Sequence, residues 1–285
     1  MARVLCVGIA TLDIVNLVET YPEEDSEVRA LSQQVRAGGN ATNTALVLAQ
    51  LGVDTHWVGN LSDQPQAQLV RDAFARFGVD ASRAEISEGS AMPTSYVTLS
   101  RASGSRSIVH YRDMPEYAAE DFAQLDLRPF DWVHFEGRAL DQLEPMMQRA
   151  RAMCGVPVSL EVEKPRDGIE GLFEQADVLF FSRDYVRQRG FDSASALLQQ
   201  LPRGALATCT WGDKGAWARD VDGKLQHAPV HRPEQVVDTL GAGDVFNAAM
   251  LNGLSLGVPI GDALHAAVRL AGEQCGRAGM VLEHE

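Results

Sequence analysis

Short, mainly apolar runs recur along this chain, at Val4 to Ile9, Thr55 to Gly59, Trp132 to Glu136, Val158 to Val162, Val178 to Phe181 and Ala205 to Thr210. Each is too short for a buried helix and has the length of a strand covered on both faces. Stretches of helical period lie between most of them and beyond: Gln64 to Phe77, Ala139 to Met153, Ser193 to Leu201, Ala242 to Leu256 and Ile260 to Cys275. Strand and helix in turn predict an α/β fold with a mainly parallel central sheet, helices on both faces, right-handed crossovers and ligands beyond the strand C-termini.

Two stretches break the alternation. Ile14 to Arg36, and Thr94 to Val109 with its turn at Ser103-Gly104, read as short strands and hairpins. They predict a small β-sheet, built from approximately 14–36 and 94–109, that projects from a single domain spanning 1–285. With 285 residues, 45% of them apolar, the chain has enough material for one large core.

Charge and cysteine usage narrow the function classes. A net charge of -14 and the absence of a long basic run argue against a nucleic-acid surface, so any anionic ligand must be met by local positive groups. Cys6, Cys154, Cys209 and Cys275 are scattered without metal-ligand spacing, which points to reduced thiols and a cytoplasmic location, most of them in core-packing roles. The histidines make no metal motif. Met1-Ala2-Arg3 before the apolar run 4–12 superficially resembles a signal peptide, but Asp13 follows without a cleavage pattern, and a buried first strand explains the run better. No segment reaches the roughly 18 apolar residues of a membrane span. Leu282-Glu283-His284-Glu285 carries no functional expectation.

The segment Val237-Asp238-Thr239-Leu240-Gly241-Ala242-Gly243-Asp244-Val245-Phe246 joins a glycine turn to an acid at the start of an apolar helix. Gly241 and Gly243 let the backbone turn sharply, so that successive N–H groups converge on an anion at the helix N-terminus. A carboxylate beside a phosphate gains nothing by binding it, but Asp244 there is placed to accept the proton of an attacking hydroxyl. The plainer alternative is an ordinary turn with an aspartate N-cap. A second glycine turn, Gly38-Gly39-Asn40-Ala41-Thr42-Asn43, opens another helical run that closes on Gly52. Asn40 and Asn43 lie on one face of its first turn and offer both donors and acceptors to a polyol; capping alone is again the plainer alternative.

Together these segments resemble the signature of the ribokinase-like, or PfkB, carbohydrate kinases: Gly-Gly-Asn at one helix start and Asp-Thr-x-Gly-Ala-Gly-Asp at another. The resemblance runs along nearly the whole chain and is strongest to its ketohexokinase (hepatic fructokinase) branch. It is carried by Leu5-Cys6-Val7-Gly8 with Leu12-Asp13, Tyr21-Pro22 with Glu24 to Glu27, and Leu31-Ser32-Gln33. His134 with Glu136-Gly137-Arg138, and Glu161-Val162-Glu163-Lys164-Pro165-Arg166, extend it.

The resemblance implies an ATP-dependent sugar kinase with the ribokinase-like fold, a β-sheet lid and a homodimer formed through that lid, most closely one that converts fructose to fructose 1-phosphate. Asp13, Gly39, Asn40 and Asn43 would then hold the sugar, and Asp25 would serve the sugar site of a neighbouring subunit. Asp244 would be the general base, Gly241, Ala242 and Gly243 the anion hole, and Arg106 the arginine that reaches the nucleotide phosphates; otherwise Arg106 is a solvated hairpin arginine. Gly212, Asp213, Lys214 and Gly215 would lie beside the nucleotide, together with Gly241 and Gly243.

ATP and magnesium are the implied cofactors, with potassium a further candidate. The Asn-x-x-Glu motif of many relatives is replaced by Ser182-Arg183-Asp184-Tyr185 after the strand at 177–181, as in the ketohexokinases, so the metal ligands stay unassigned. Glu161, Glu163 and Asp184 are candidates, each equally readable as a solvated or paired acid. Other acceptors (a different sugar, a sugar acid, a nucleoside) and a non-catalytic sugar or nucleotide sensor are the alternatives. A dinucleotide enzyme is disfavoured because Gly8-Ile9-Ala10 does not continue into Gly-x-Gly-x-x-Gly.

Overall fold

The structure is a computed structural model that describes residues 1–202, 204–277 and 279–282, and Glu283 to Glu285 lie outside it. The chain opens with β1 (Arg3–Val7), β2 (Thr11–Val18) and β3 (Ser32–Gly38), followed by α1 (Asn40–Gln50), β4 (Asp54–Val58), β5 (Asn60–Ser62) and α2 (Ala67–Phe77). Next come β6 (Glu85–Ser87), β7 (Thr94–Ser100), β8 (Arg106–Tyr111), α3 (Ala119–Phe122), β9 (Trp132–Glu136) and α4 (Leu140–Cys154). Then follow β10 (Val158–Val162), β11 (Val178–Phe181), α5 (Arg183–Gln188), α6 (Ala194–Gln200), β12 (Leu206–Thr210), β13 (Ala216–Arg219), β14 (Leu225–Ala228), α7 (Ala242–Ser255) and α8 (Ile260–Cys275).

Every anticipated apolar run is a strand of one sheet with the order β14-β13-β12-β11-β10-β9-β1-β4. Pairing is parallel from β4 through β12, and β13 and β14 extend the sheet as an antiparallel edge. That edge was not anticipated, because Ala216–Arg219 and Leu225–Ala228 are four residues each and, unlike Val178–Phe181, are broken by polar side chains, so neither forms an apolar run.

Alternate residues of one strand enter different cores. Val4 and Cys6 join the cluster roofed by α1, α2, α7 and α8, while Leu5 and Val7 join the one covered by α3 to α6. Trp57 and Phe122, one in each core, are fully buried, and burying such a side chain contributes roughly 1.5–3 kcal/mol. Cys6 and Cys209 are buried and Cys275 partly so, all as free thiols; the side chain of Cys154 lies outside the description.

The two irregular stretches form a second sheet, in the order β3-β2-β7-β8. It combines two antiparallel pairs with a parallel β2–β7 junction rather than two independent hairpins. Its strands run beyond the anticipated limits, from Thr11 to Gly38 and from Thr94 to Tyr111. A short pair, β5 with β6, and an isolated bridge between His56 and Asp80 complete the pairing among the described residues.

Candidate active site

Two helix starts converge beyond the C-terminal ends of the central strands. At the first, Gly39 adopts φ 99°, a conformation glycine reaches without a Cβ penalty, and a Cβ there would overlap the carbonyl of Ile9. A Cβ on Gly38 would overlap the Asp13 carboxylate, so the glycine pair lets α1 begin directly against β2. Asp13 is buried and accepts from Thr11 Oγ1 at 2.9 Å.

At the second start, Gly241 is left-handed at φ 81° and caps α7, whose first-turn N–H groups have no helical acceptors. A Cβ on Gly241 would lie 2.7 Å from the Met280 sulfur, whereas one on Gly243 would meet no atom within 4 Å. The turn therefore rests on packed chain at Gly241 and faces open space at Gly243.

The helices are joined by amide–carboxylate contacts. Asn43 Nδ2 donates to Asp244 Oδ2 at 2.7 Å, and Asn40 Nδ2 and Asn247 Nδ2 both donate to Glu161 Oε1, at 3.1 and 3.2 Å. Glu136 stands in register beside Glu161 on the adjacent parallel strand. It accepts from the backbone N–H of Ile9 and Ala41 and pairs with Arg138 Nη1 at 3.3 Å, and Arg138 in turn forks onto Glu116.

Burial pushes the Asp244 carboxyl well above the ordinary aspartate range; the Asn43 bond opposes this, while Glu163, Glu136 and Asp13 reinforce it. Glu161 is driven up in the same way, by burial and then by Asp244, Glu136 and Glu163, against the Asn40 bond. Glu136 is also raised by burial, with Arg138 offsetting part of the effect.

These groups line a cavity of about 470 Å³ that includes Asp13, Gly39, Asn40, Asn43 and Asp244. A neighbouring cavity of about 720 Å³ is lined by Gly212, Asp213 and Gly215 and walled by Val230, Pro233 and Gly272. Arg106, Arg183, Thr210, Gly212, Thr239, Ala242 and Gly243 belong to both, so the cavities meet along the glycine turn and the end of β12, and the turn is one partition between them. Arg106 reaches from β8 to this partition, donating from Nη1 to Thr239 Oγ1 at 2.8 Å. Asp25 is exposed on the connection between β2 and β3, and neither it nor Lys214 lines either cavity.

Glu136, Arg138, Lys164 and Asn247 also line the smaller cavity, although the sequence reading gave them no role in the site. Glu136 had a visible signal, an acid closing an otherwise apolar buried strand. Asn247, one turn beyond Asp244, had only its helical spacing.

Residues 1–283 match the pfkB family carbohydrate kinases. Ketohexokinase of Mus musculus is 38% identical over 289 aligned positions, covering 97% of this chain and 97% of that protein. Among solved structures, Arabidopsis thaliana ribokinase complexed with ribose and ATP superposes with a TM-score of 0.78 at 24% identity, over 98% of this chain and 94% of that one. Adenosine kinase from Sinorhizobium meliloti gives a TM-score of 0.83 at 21% identity, over 98% and 95%. A parallel sheet whose strand ends meet a Gly-Gly-Asn helix start and an Asp-Thr-x-Gly-Ala-Gly-Asp helix start, matched over nearly its full length, places the chain among the carbohydrate kinases of the pfkB family.

Proposed function

We propose that this sugar kinase transfers the γ-phosphoryl group of ATP to a hydroxyl of fructose, giving fructose 1-phosphate, with Asp244 as general base. The observation that carries this reading is the position of Asp244: its buried carboxylate lines the polar cavity, one residue from the Gly243 partition to the larger, more apolar one. A sugar in the first cavity and a nucleotide in the second meet at that boundary. The sugar oxygen attacks the γ-phosphorus, the bond to the β–γ bridging oxygen breaks, ADP departs and the hydroxyl proton passes to Asp244. The likeness to mouse ketohexokinase favours fructose as the acceptor.

The remaining residues orient and neutralise. Asp13, Gly39, Asn40 and Asn43 hold the sugar hydroxyls, and because Asn40 and Asn43 turn their Nδ2 groups to carboxylates, their oxygens are free to accept from them. The N–H groups at Gly241, Ala242 and Gly243, with Arg106, stabilise negative charge on the transferring group. Gly212, Asp213 and Gly215 flank the nucleotide.

A magnesium ion would be held chiefly by nucleotide phosphates and water. Glu163 and Asp184 line the smaller cavity, paired with Lys164 at 3.6 Å and Arg183 at 3.7 Å, and their exposed carboxylates would complete its shell. When bound, magnesium neutralises phosphate charge. The small sheet acts as a lid that excludes water from the acceptor. Its outer face exposes Val35, Tyr96 and Val109, an apolar surface suited to a homodimer in which Asp25 reaches the neighbouring site. Free thiols agree with a cytoplasmic setting.

The test is magnesium- and ATP-dependent ADP release by the purified protein across fructose, tagatose, ribose, adenosine and 2-keto-3-deoxygluconate, with the phosphorylated position assigned by NMR. Selective fructose 1-phosphate is expected. Preference for another acceptor overturns the substrate, and no turnover with any of them overturns the catalytic reading.

A further inference from the structure

The glycine turn is gripped from the small sheet at two consecutive residues. Arg36 Nη1 forms an ion pair with Asp238 Oδ2 at 2.8 Å, and Arg106 Nη1 donates to Thr239 Oγ1 at the same distance. Arg36 lies on β3 and Arg106 on β8, the opposite edges of the sheet, so the sheet spans the acceptor cavity and touches the turn from both sides.

The Arg36 contact is the better shielded of the two. Its side chains are only 16% and 12% exposed, which places the pair largely out of water and makes loss of one partner costly to the other. Asp238 is already committed to the shape of the turn: its Oδ1 accepts from the Leu240 N–H at 2.8 Å, and its own N–H and that of Val237 are anchored on the Cys275 carbonyl at the end of α8. On β2, the residue directly opposite Arg36 is Asp13, which lines the acceptor cavity. Directly opposed residues of an antiparallel pair share one face of the sheet. Sugar-side acid and turn-holding arginine thus sit at one register level, and a displacement of that level is felt by Asp238, three residues before Gly241.

We propose that Arg36 is a positioning residue: through Asp238 it ties the glycine turn to the small sheet, so that an acceptor held beneath the sheet tightens nucleotide binding on the other side of the turn. This inference rests on the sugar-kinase reading given above.

Calorimetric titration tests it. A non-hydrolysable ATP analogue with magnesium is titrated into the full-length protein, with and without a saturating amount of the acceptor that gives the highest wild-type turnover. Wild type is expected to bind the analogue about tenfold more tightly with acceptor present, within the usual range of site-to-site coupling. In Arg36→Gln that factor is expected to fall below about twofold, with affinity for the analogue alone changed less than about threefold. Its kcat is expected to drop by about 10- to 100-fold, as for a misplaced reacting group, and Arg36→Lys to recover most of the coupling.

Asp238→Asn keeps an acceptor for the Leu240 N–H while removing the ion pair, and should reproduce the loss if Arg36→Gln does not fold. Wild-type coupling retained in either folded variant overturns the proposal, as does a wild type with turnover but no coupling. Absence of any wild-type turnover overturns instead the reading on which it rests.

Discussion

Asn43 and Asp244, 201 positions apart in sequence, meet inside the protein, with the Asn43 amide donating to the Asp244 carboxylate at 2.7 Å. One belongs to the helix expected to hold the sugar, the other to the helix expected to hold phosphate. The contact therefore sets the spacing between the helix expected to hold the sugar and the proposed base. It also leaves the second Asp244 oxygen for the proton that the proposed reaction releases.

Asp244→Asn retains an oxygen for the Asn43 bond and removes the proton acceptor. Turnover is expected to fall by about 100- to 10,000-fold, the span of a positioned general base, while binding of an ATP analogue persists. Steady-state kinetics beside calorimetry checks this, and near-normal kcat removes Asp244 from the role.

Acid should titrate the activity. Because burial raises the Asp244 carboxyl, its basic form is lost as pH falls through a value above the ordinary aspartate figure of about 3.9. The limiting limb of the kcat profile should lie there. Stability runs the other way: a raised folded pKa gives a contribution that is complete below the unfolded pKa and lost as pH rises through the folded one. Asp244→Asn should therefore exceed wild type in Tm by more at pH 8 than at pH 5 in scanning calorimetry; an equal offset at both refutes the assignment.

The two turn glycines should fail differently. Gly241→Ala places a Cβ at φ 81° and 2.7 Å from the Met280 sulfur, so a stability loss of about 1–3 kcal/mol is expected along with lost activity. Gly243→Ala meets open space, so its Tm should be unchanged while the added methyl obstructs the partition and lowers kcat/KM for ATP. Denaturant melts and nucleotide kinetics separate the two cases.

Gly38→Ala addresses the acceptor alone. The new Cβ would overlap the Asp13 carboxylate, which must shift, and Gly38 does not itself need a left-handed backbone. KM for the sugar is expected to rise about tenfold, equivalent to about 1.4 kcal/mol, with KM for ATP unchanged. Equal changes in both constants would place the damage elsewhere.

The sheet was legible because buried parallel strands announce themselves locally, and runs such as 132–136 and 158–162 needed no partner to be recognised. Both glycine turns were legible for the same reason. Register was not. That Glu136 stands beside Glu161, or that Asn247 reaches back to Glu161, depends on how distant strands and helices stack, and no window of sequence contains that information. Arg36 looked like one more polar residue of an irregular stretch until β3 placed it against Asp238. The edge strands β13 and β14 were invisible because each is short and carries polar residues, so neither makes the apolar run that betrayed Val178–Phe181.

The glycine partition has a consequence for how such a catalyst can diversify. Acceptor contacts come from β2, α1 and β10, whereas the outer nucleotide wall comes from the segment before α7 and from α8. Mutations confined to those unshared walls retool one chamber without touching the other, while the residues at the glycine turn serve both. Natural variation can thus explore new acceptors while the phosphoryl donor, and the residues that handle it, stay under unbroken selection.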